Sequence, residues 1–290
     1  MKKILAIIIA AVTTAIACFT LTGCKKSAGE AQLKLINIEL SNEEYAFAVK
    51  KGNTELKNSV NAFFEAKSSE ISAVFEKYTA DGADLSSFGS SAIKTTPTSG
   101  ATDELVVATN LDFAPFEYQN GNKIAGIDME IAQLLADYLG KTLVVVHMEF
   151  DAVVTSVANI DTYDIGIAGL TITEERAQSV DFTNPYFGAA QMIVVNKNDK
   201  TFDGLTTKAE IEAKLATLSG KAAKCGGQKG TTSQFYVQGN ADFGYDGFAN
   251  LTFSAYSGAS LAAQDMINGN LAFVVVDKQT AKVLVSNFTK

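Results

Sequence analysis

The chain has 290 residues, 47% of them hydrophobic, and carries 24 basic against 32 acidic residues for a formal charge of −8. That length and apolar content allow one or two domains with substantial cores. The acidic balance makes nucleic acid a poor partner, and three cysteines without a CxxC or Cys/His cluster argue against a disulfide framework or a zinc site.

The first residues form an address. Lys2 and Lys3 give a basic head, ILAIIIAAVTTAIACFT is a short apolar core, and LTGC supplies small residues. This pattern describes an export signal rather than an element of the fold; an uncut membrane anchor is the alternative. Loss of Lys2 and Lys3 with the signal takes the formal charge from −8 to −10. No later stretch is long and apolar enough to span a bilayer. Residues 25–31 read as a polar tether.

LKLINIE at 33–39 alternates like a strand, and EEYAFAVKKGN is an apolar strand ended by Gly52-Asn53. Thr54 can cap the next helix. Leu56, Val60, Phe63 and Phe64 fall on one helical face, and Ile71, Val74, Phe75 and Tyr78 repeat the pattern. Residues 80–103 are rich in Ser, Thr, Gly and Ala and read as a linker. Beyond it, strands are expected at 104–109, 142–148, 163–169, 189–196 and 271–277. Helices are expected from Asp128, as cap, to Gly140, then at 151–159, 208–218, 231–238 and 260–268, and from Lys278 onward. Such alternation indicates an α/β sheet with largely parallel strands. Ligands in such folds sit at the carboxyl ends of strands, beside helix N-termini.

Polar motifs fall at those ends: NLDFAPFEY (110–118), AGLTITEER (168–176), QKGTTS (228–233) and Asp277. Arg176 is the only arginine in the chain; every other basic residue is lysine. A guanidinium presents a flat fork of N–H donors that fits a carboxylate, which lysine cannot do. Asp277 can take an ammonium, Thr171, Thr231 and Thr232 offer hydroxyls, and Phe113, Phe116 and Phe150 offer apolar walls. One cation, one anion and aromatic walls suit a free α-amino acid. Simpler readings stand beside these: Arg176 on the surface, Asp277 as a helix cap, Phe116 as core, His147 as structural, and Cys225 as a small buried residue. QKGTT lacks the ending of a phosphate-binding loop.

ATNLDFAPFEY, GIDMEIAQLLADYLG, YDIGIAGLTITEERAQSVDFTNPYF, GQKGTT and NGNLAFVVVD occur in that order over most of residues 104–282. With them the chain resembles the amino-acid-binding proteins of ABC transporters, the bacterial extracellular solute-binding family 3. The resemblance implies an α/β, two-lobe, periplasmic-binding-protein-like (type II) fold with a two-strand hinge. It implies a monomer without cofactor, metal or catalytic residues, which captures a free amino acid and delivers it to an ABC permease and its ATPase. By the same resemblance Arg176 grips the ligand carboxylate with Thr171 and Thr232. Asp277 and the Gly169 carbonyl hold the ammonium, and Phe113 and Phe150 sandwich the side chain. Asn110 stands where relatives binding cationic ligands often have Asp. Its amide donates and accepts, so a polar neutral ligand ranks first, a cationic one second and an acidic one third. LTGC resembles a lipobox, with cleavage before Cys24 and lipid (palmitate among it) on that residue. The protein would then be anchored on the outer face of the cytoplasmic membrane. An enzyme on the same scaffold, of dehydratase or lyase type, is the alternative. It needs a positioned acid or base, and Asp112, Glu117 and Glu149 are the candidates.

The order of the motifs departs from the family. Relatives continue after the Asp277 helix with a strand, a stretch like EEYAIAVKKGN and closing helices. Here residues 41–78 resemble that tail, and LKLINIEL (33–40) resembles the strand before it, both placed at the front. The expectation is a circular permutation, tolerated where joined termini are close. Lobe 1 would be 45–193, with linker 80–103 joining the old ends; lobe 2 would be 32–44 and 194–290. Strands near 43–49 and 189–197 would form the hinge. An unrelated N-terminal helical domain is the alternative.

Overall fold

The computed structural model describes residues 32–288; the export signal, Cys24 and the polar tether lie outside the described residues. In chain order, strands β1 (Leu33–Ile36), β2 (Glu43–Tyr45) and β3 (Ala48–Lys50) precede helices α1 (Thr54–Ala66) and α2 (Ser68–Thr79). Next come β4 (Glu104–Thr109), β5 (Asp112–Phe113), β6 (Glu117–Asn120), β7 (Lys123–Ala125) and α3 (Ile127–Tyr138). They are followed by β8 (Thr142–His147), α4 (Phe150–Asn159), β9 (Ile165–Gly166), α5 (Glu174–Ser179) and β10 (Val180–Phe182). The remainder is β11 (Phe187–Ala189), β12 (Gln191–Asn196), α6 (Lys208–Leu215), β13 (Lys224–Gln228), α7 (Thr232–Gln238), β14 (Thr252–Tyr256), α8 (Ala259–Ile267), β15 (Phe273–Asp277) and α9 (Lys278–Asn287).

These strands build two five-stranded sheets, ordered β10-β3-β9-β4-β8 and β1-β12-β15-β13-β14. Each is parallel in one half only. β4 pairs in parallel with β8 and β9, and β13 with β14 and β15; β3, β10, β1 and β12 all pair antiparallel. The sequence alternation points to largely parallel sheets. The antiparallel halves come from the segments by which the chain passes from one sheet to the other. It passes once through β2, between β1 and β3, and once through β11, between β10 and β12. β2 and β11 pair with each other, Glu43 opposite Ala189 and Tyr45 opposite Phe187. The molecule is therefore a two-lobe α/β protein whose lobes are joined by this two-stranded ribbon.

Both sheets are covered on both faces, which explains strands that are apolar throughout rather than alternating. In β3 and the residues before it, Phe47 and Val49 join the core under α1, α2 and α3, while Ala46 and Ala48 join the core under α4. In β12, Ile193 and Val195 face α6 and α7, while Val194 faces α8 and α9. Burying each of the larger of these side chains, Phe47, Val49, Ile193, Val194 and Val195, is worth roughly 1.5–3 kcal/mol. The N-terminal residues belong to both lobes: β1 is an edge strand of one sheet and β3 an inner strand of the other.

Local differences from the sequence expectation have simple causes. Asn53, not Thr54, caps α1, its side chain accepting from the Leu56 amide at 3.1 Å. Asp128 does not cap α3, which starts at Ile127; Asp128 lies buried inside its first turn. Residues 80–103 run as a strap along the first lobe. Ser90 bridges to Ile124 and Lys94 to Val144, and Phe88 stacks edge-on against Tyr78 at 4.8 Å. The polar composition hides this docking because only Leu85, Phe88 and Ile93 supply anchors.

Candidate functional site

The carboxyl ends of β4, β9, β13 and β15 converge between the lobes. Phe113 follows β4, and Phe150 opens α4. Gly169 and Thr171 follow β9, and Thr173 caps α5 by accepting from the Arg176 amide at 2.9 Å. That cap turns Arg176 inward. Its guanidinium donates to the Thr171 carbonyl at 2.8 Å and across the cleft to the Gly230 carbonyl at 3.1 Å, and it lies 5.3 Å from the Phe150 ring centroid. Burial lowers its pKa to about 10, against the opposing pull of Glu43, Glu175 and Asp277, so it stays charged at neutral pH.

Phe113, Phe150, Gly169, Thr171, Arg176, Thr232 and Asp277 all line one small cavity of about 10 Å³, together with Gln228 and Thr231. Of the ligand-binding residues the family resemblance implies, only Asn110 stands back from it. Its Oδ1 accepts from Gln228 Nε2 at 2.8 Å and its Nδ2 donates to the Met148 carbonyl at 2.8 Å. Gln228 Nε2 also donates to the Ser257 carbonyl at 2.9 Å, while Gln228 Oε1 is buried without a hydrogen-bond partner. Gln228 is thus an acceptor left open in the wall, and QKGTTS marked its position but not its role.

The hinge supplies two residues that sequence reasoning did not place. Glu43 Oε2 accepts from the Thr171 hydroxyl and from the Thr232 hydroxyl, both at 2.8 Å, and Glu43 Oε1 accepts from Ser41 at 2.6 Å. The two threonines belong to different lobes, so one carboxylate oxygen gathers both. Each hydroxyl has a single proton to donate, and here both are given to Glu43. Tyr45 donates its hydroxyl to Asp277 Oδ1. Asp277 occupies the N-cap position of α9 but makes no side-chain cap bond. Both residues were present in SNEEYAFAVKKGN, but only pairing of β2 with β11 brings them beneath the cavity.

A second layer of carboxylates supports the first. Asp128 Oδ2 accepts from the Gly169 amide at 2.8 Å and Oδ1 from the Tyr186 hydroxyl at 2.7 Å. Gly169 has φ +52°, and an added Cβ would meet Phe113 Cε1 at 3.0 Å. Burial raises Asp128 to about 6 and pushes Glu117 well up. It raises Asp277 to about 7, with the Glu43 charge adding to it. Of the acid–base candidates, Glu117 is fully buried behind the cavity, and Asp112 and Glu149 are exposed. Phe116 is core, and His147 Nδ1 accepts from the Leu111 amide at 3.0 Å, a structural role. Cys225 is buried, with its thiol pushed up to about 12. No group of three metal-ligating side chains occurs among the described residues, nor does any helix there have the length and apolarity to cross a membrane.

The chain is similar to known proteins. The family model for bacterial extracellular solute-binding proteins, family 3, matches residues 105–287. The arginine-binding extracellular protein ArtP of Bacillus subtilis (strain 168) is 37% identical over 95 residues, 33% of this chain and 37% of that one. The ABC transporter arginine-binding protein 1 of Escherichia coli (strain K12) is 27% identical over 179 residues, 61% of this chain and 64% of that one. The chain thus spans less than two thirds of these curated relatives. A solved structure of an ancestral arginine-binding protein bound to glutamine is 31% identical with a TM-score of 0.54, covering 64% of this chain and 75% of that one.

Proposed function

The chain belongs to the bacterial extracellular solute-binding proteins, family 3, and from that membership we propose that it captures a free L-amino acid between its lobes and presents it to an ABC importer. The observation that carries this reading is one buried guanidinium and one buried carboxylate, Arg176 and Asp277, facing the same cavity between the Phe113 and Phe150 rings. Arg176 takes the α-carboxylate as a fork. Asp277 and the Gly169 carbonyl take the ammonium. Because Thr171 and Thr232 give their protons to Glu43, they frame the carboxylate site rather than donate to it in this arrangement. Asn110 acts through Gln228. No reaction is assigned: the carboxyl group at the cavity wall, Asp277, is bonded to the Tyr45 hydroxyl and is given in this reading to the ligand ammonium.

The ligand's side chain lies between two aromatic faces and ends at an open acceptor, Gln228 Oε1. That environment suits a planar group with N–H donors, a guanidinium or a carboxamide. The amides of Asn110 and Gln228 favour the neutral one. The carboxyl groups of Glu43, Asp128 and Asp277 are buried around the single guanidinium; burial raises Asp128 and Asp277 toward their neutral forms, and any that ionise beyond the one charge Arg176 balances are costly without a further cation. This surplus puts the cationic ligand first, reversing the order drawn from Asn110 alone. The relatives named for arginine, and the ancestral arginine-binding protein bound to glutamine, support the same pair. Isothermal titration with L-arginine and L-glutamine tests it. Arginine is expected to bind more tightly, and Arg176→Ala to abolish both signals; unaltered binding by that variant would contradict the clamp.

Permutation belongs to the same reading. The family match begins at residue 105 and ends at 287, yet residues 33–50 complete both sheets. An appended domain would not do so. Lobe 1 is taken as 45–193, with strap 80–103 joining the old termini, and lobe 2 as 32–44 and 194–290. The lipobox-like LTGC supports lipid attachment at Cys24 and anchoring to the membrane outside the cytoplasm.

A further inference from the structure

Glu43 is buried, yet it does not line the cavity between the lobes. It sits in β2, where the chain passes from one sheet to the other. Toward the first lobe, this segment is fixed to residues 170–172. The Ala46 amide donates to the Leu170 carbonyl at 3.0 Å, and the Ile172 amide to the Glu44 carbonyl at 3.0 Å. Toward the second lobe, the Leu40 amide donates to the Gln191 carbonyl at 2.9 Å, and the Gln191 amide to Ser41 Oγ at 2.8 Å. Gln191 Nε2 in turn donates to Thr232 Oγ1 at 2.9 Å.

The Glu43 carboxylate ties these two frames together. Its Oε2 takes the Thr171 proton from one lobe and the Thr232 proton from the other, both at 2.8 Å, while Ser41 holds Oε1 at 2.6 Å. Parting the lobes moves Thr171 away from Thr232. An oxygen held in place by Ser41 cannot follow both, so opening gives up at least one of the two bonds. Bonds to a charged acceptor are the stronger kind, and their loss weighs against opening. Because Glu43 does not line the inter-lobe cavity, this bias is the same whatever side chain the ligand carries.

We propose that Glu43 is a positioning residue for capture: a hinge latch that holds the walls Thr171 and Thr232 in register and slows release of the amino acid the lobes enclose. The proposal rests on the amino-acid reading and adds to it the residue that sets residence time. The ligand enters before the latch closes, so the latch acts on release and not on association.

Two substitutions separate the acceptor from the charge. Glu43→Gln keeps an oxygen that can accept both threonine protons, and the Ser41 hydroxyl can accept from the new amide nitrogen. Glu43→Leu removes the acceptor. Glu44→Leu, at the exposed neighbour in the same strand, is the control. Association and release of L-arginine and of L-glutamine are read separately by stopped-flow tyrosine fluorescence of the full chain, which has no tryptophan. Glu43→Leu is expected to speed release of both ligands by the same factor, about ten- to hundredfold, with association changed less than about threefold. Glu43→Gln and Glu44→Leu are expected to leave both rates within about threefold of the unaltered protein. Release at the unaltered rate in Glu43→Leu would overturn the proposal. So would a loss confined to one ligand, or a Glu43→Gln as damaging as Glu43→Leu. If Glu43→Leu does not fold, Thr171→Val and Thr232→Val carry the test. The latch needs both bonds, so each single variant and the double variant should speed release equally; a double variant whose effect is the product of the two singles would also overturn it. An unaltered protein that binds neither amino acid would remove the underlying reading and the latch with it.

Discussion

Arg176 is held by backbone carbonyls of both lobes and by the face of Phe150. A lysine at that position keeps the charge but loses the fork. Hydrogen bonds to charged groups contribute about 1.5–3 kcal/mol each, so Arg176→Lys is expected to weaken amino-acid binding by roughly 10- to 150-fold, read by calorimetric titration. Asp277 gives a pH signature. Burial holds its pKa above the ordinary carboxylate value, at about 7, so folding favours its neutral form. Its stabilising contribution is complete at acid pH below the ordinary value and is lost as pH rises toward and through 7. The melting temperature of the ligand-free protein should fall between about pH 4 and 7, and Asp277→Asn should flatten that fall. Ammonium binding needs the ionised form, so affinity should rise over the same interval. Arg176 was legible as the only arginine in the chain, and Asp277 as the carboxylate that ends an otherwise apolar strand. Glu43 was not, since nothing local distinguishes it from Glu44; only strand pairing buries one and leaves the other exposed.

At the scale of elements, the turn into α3 is the most constrained junction near the site. Gly126 has φ +128°, and a Cβ there would fall 2.0 Å from the Phe116 carbonyl oxygen. Gly126→Ala must displace either α3 or the Phe116 segment, and α3 carries Asp128, which fixes Gly169. A loss of about 3 kcal/mol or more is expected, measured by denaturant unfolding; a change under about 0.5 kcal/mol, the range of neutral surface substitutions, would contradict the packing. Helices α1 to α4 and strands β4, β8, β12 and β15 were readable from apolar periodicity and runs. The short strands β5 to β7 and β14 were not, because two to five residues with mixed burial leave no period to detect. The strap over 80–103 escaped for the opposite reason: its composition is that of a free linker, while its order comes from bridges to β7 and β8.

At the scale of the molecule, lobe identity follows from two chain crossings, β2 and β11, and both come from segments whose neighbours in sequence lie in the other lobe. The two crossings were legible only through the order of the motifs, since hydropathy alone does not say which lobe a strand joins. If the strap joins old termini, a chain reordered to begin at residue 104, run to 288, and continue through 32–80 should fold and bind within about tenfold of the original, by near-ultraviolet circular dichroism and titration. A reordered chain that stays soluble and folded but fails to bind would break the proposed equivalence. The central claim is capture of a free amino acid by the folded, two-lobe state. Its most direct measurement is thermal unfolding of the purified protein against each of the twenty L-amino acids. A ligand bound only by the folded form stabilises it by about 2.7 kcal/mol at a hundredfold over Kd. A clear rise in melting temperature with arginine, a smaller one with glutamine and none with aspartate is the expected result. No rise with any of the twenty, in protein denatured and refolded to strip bound ligand, would contradict the account.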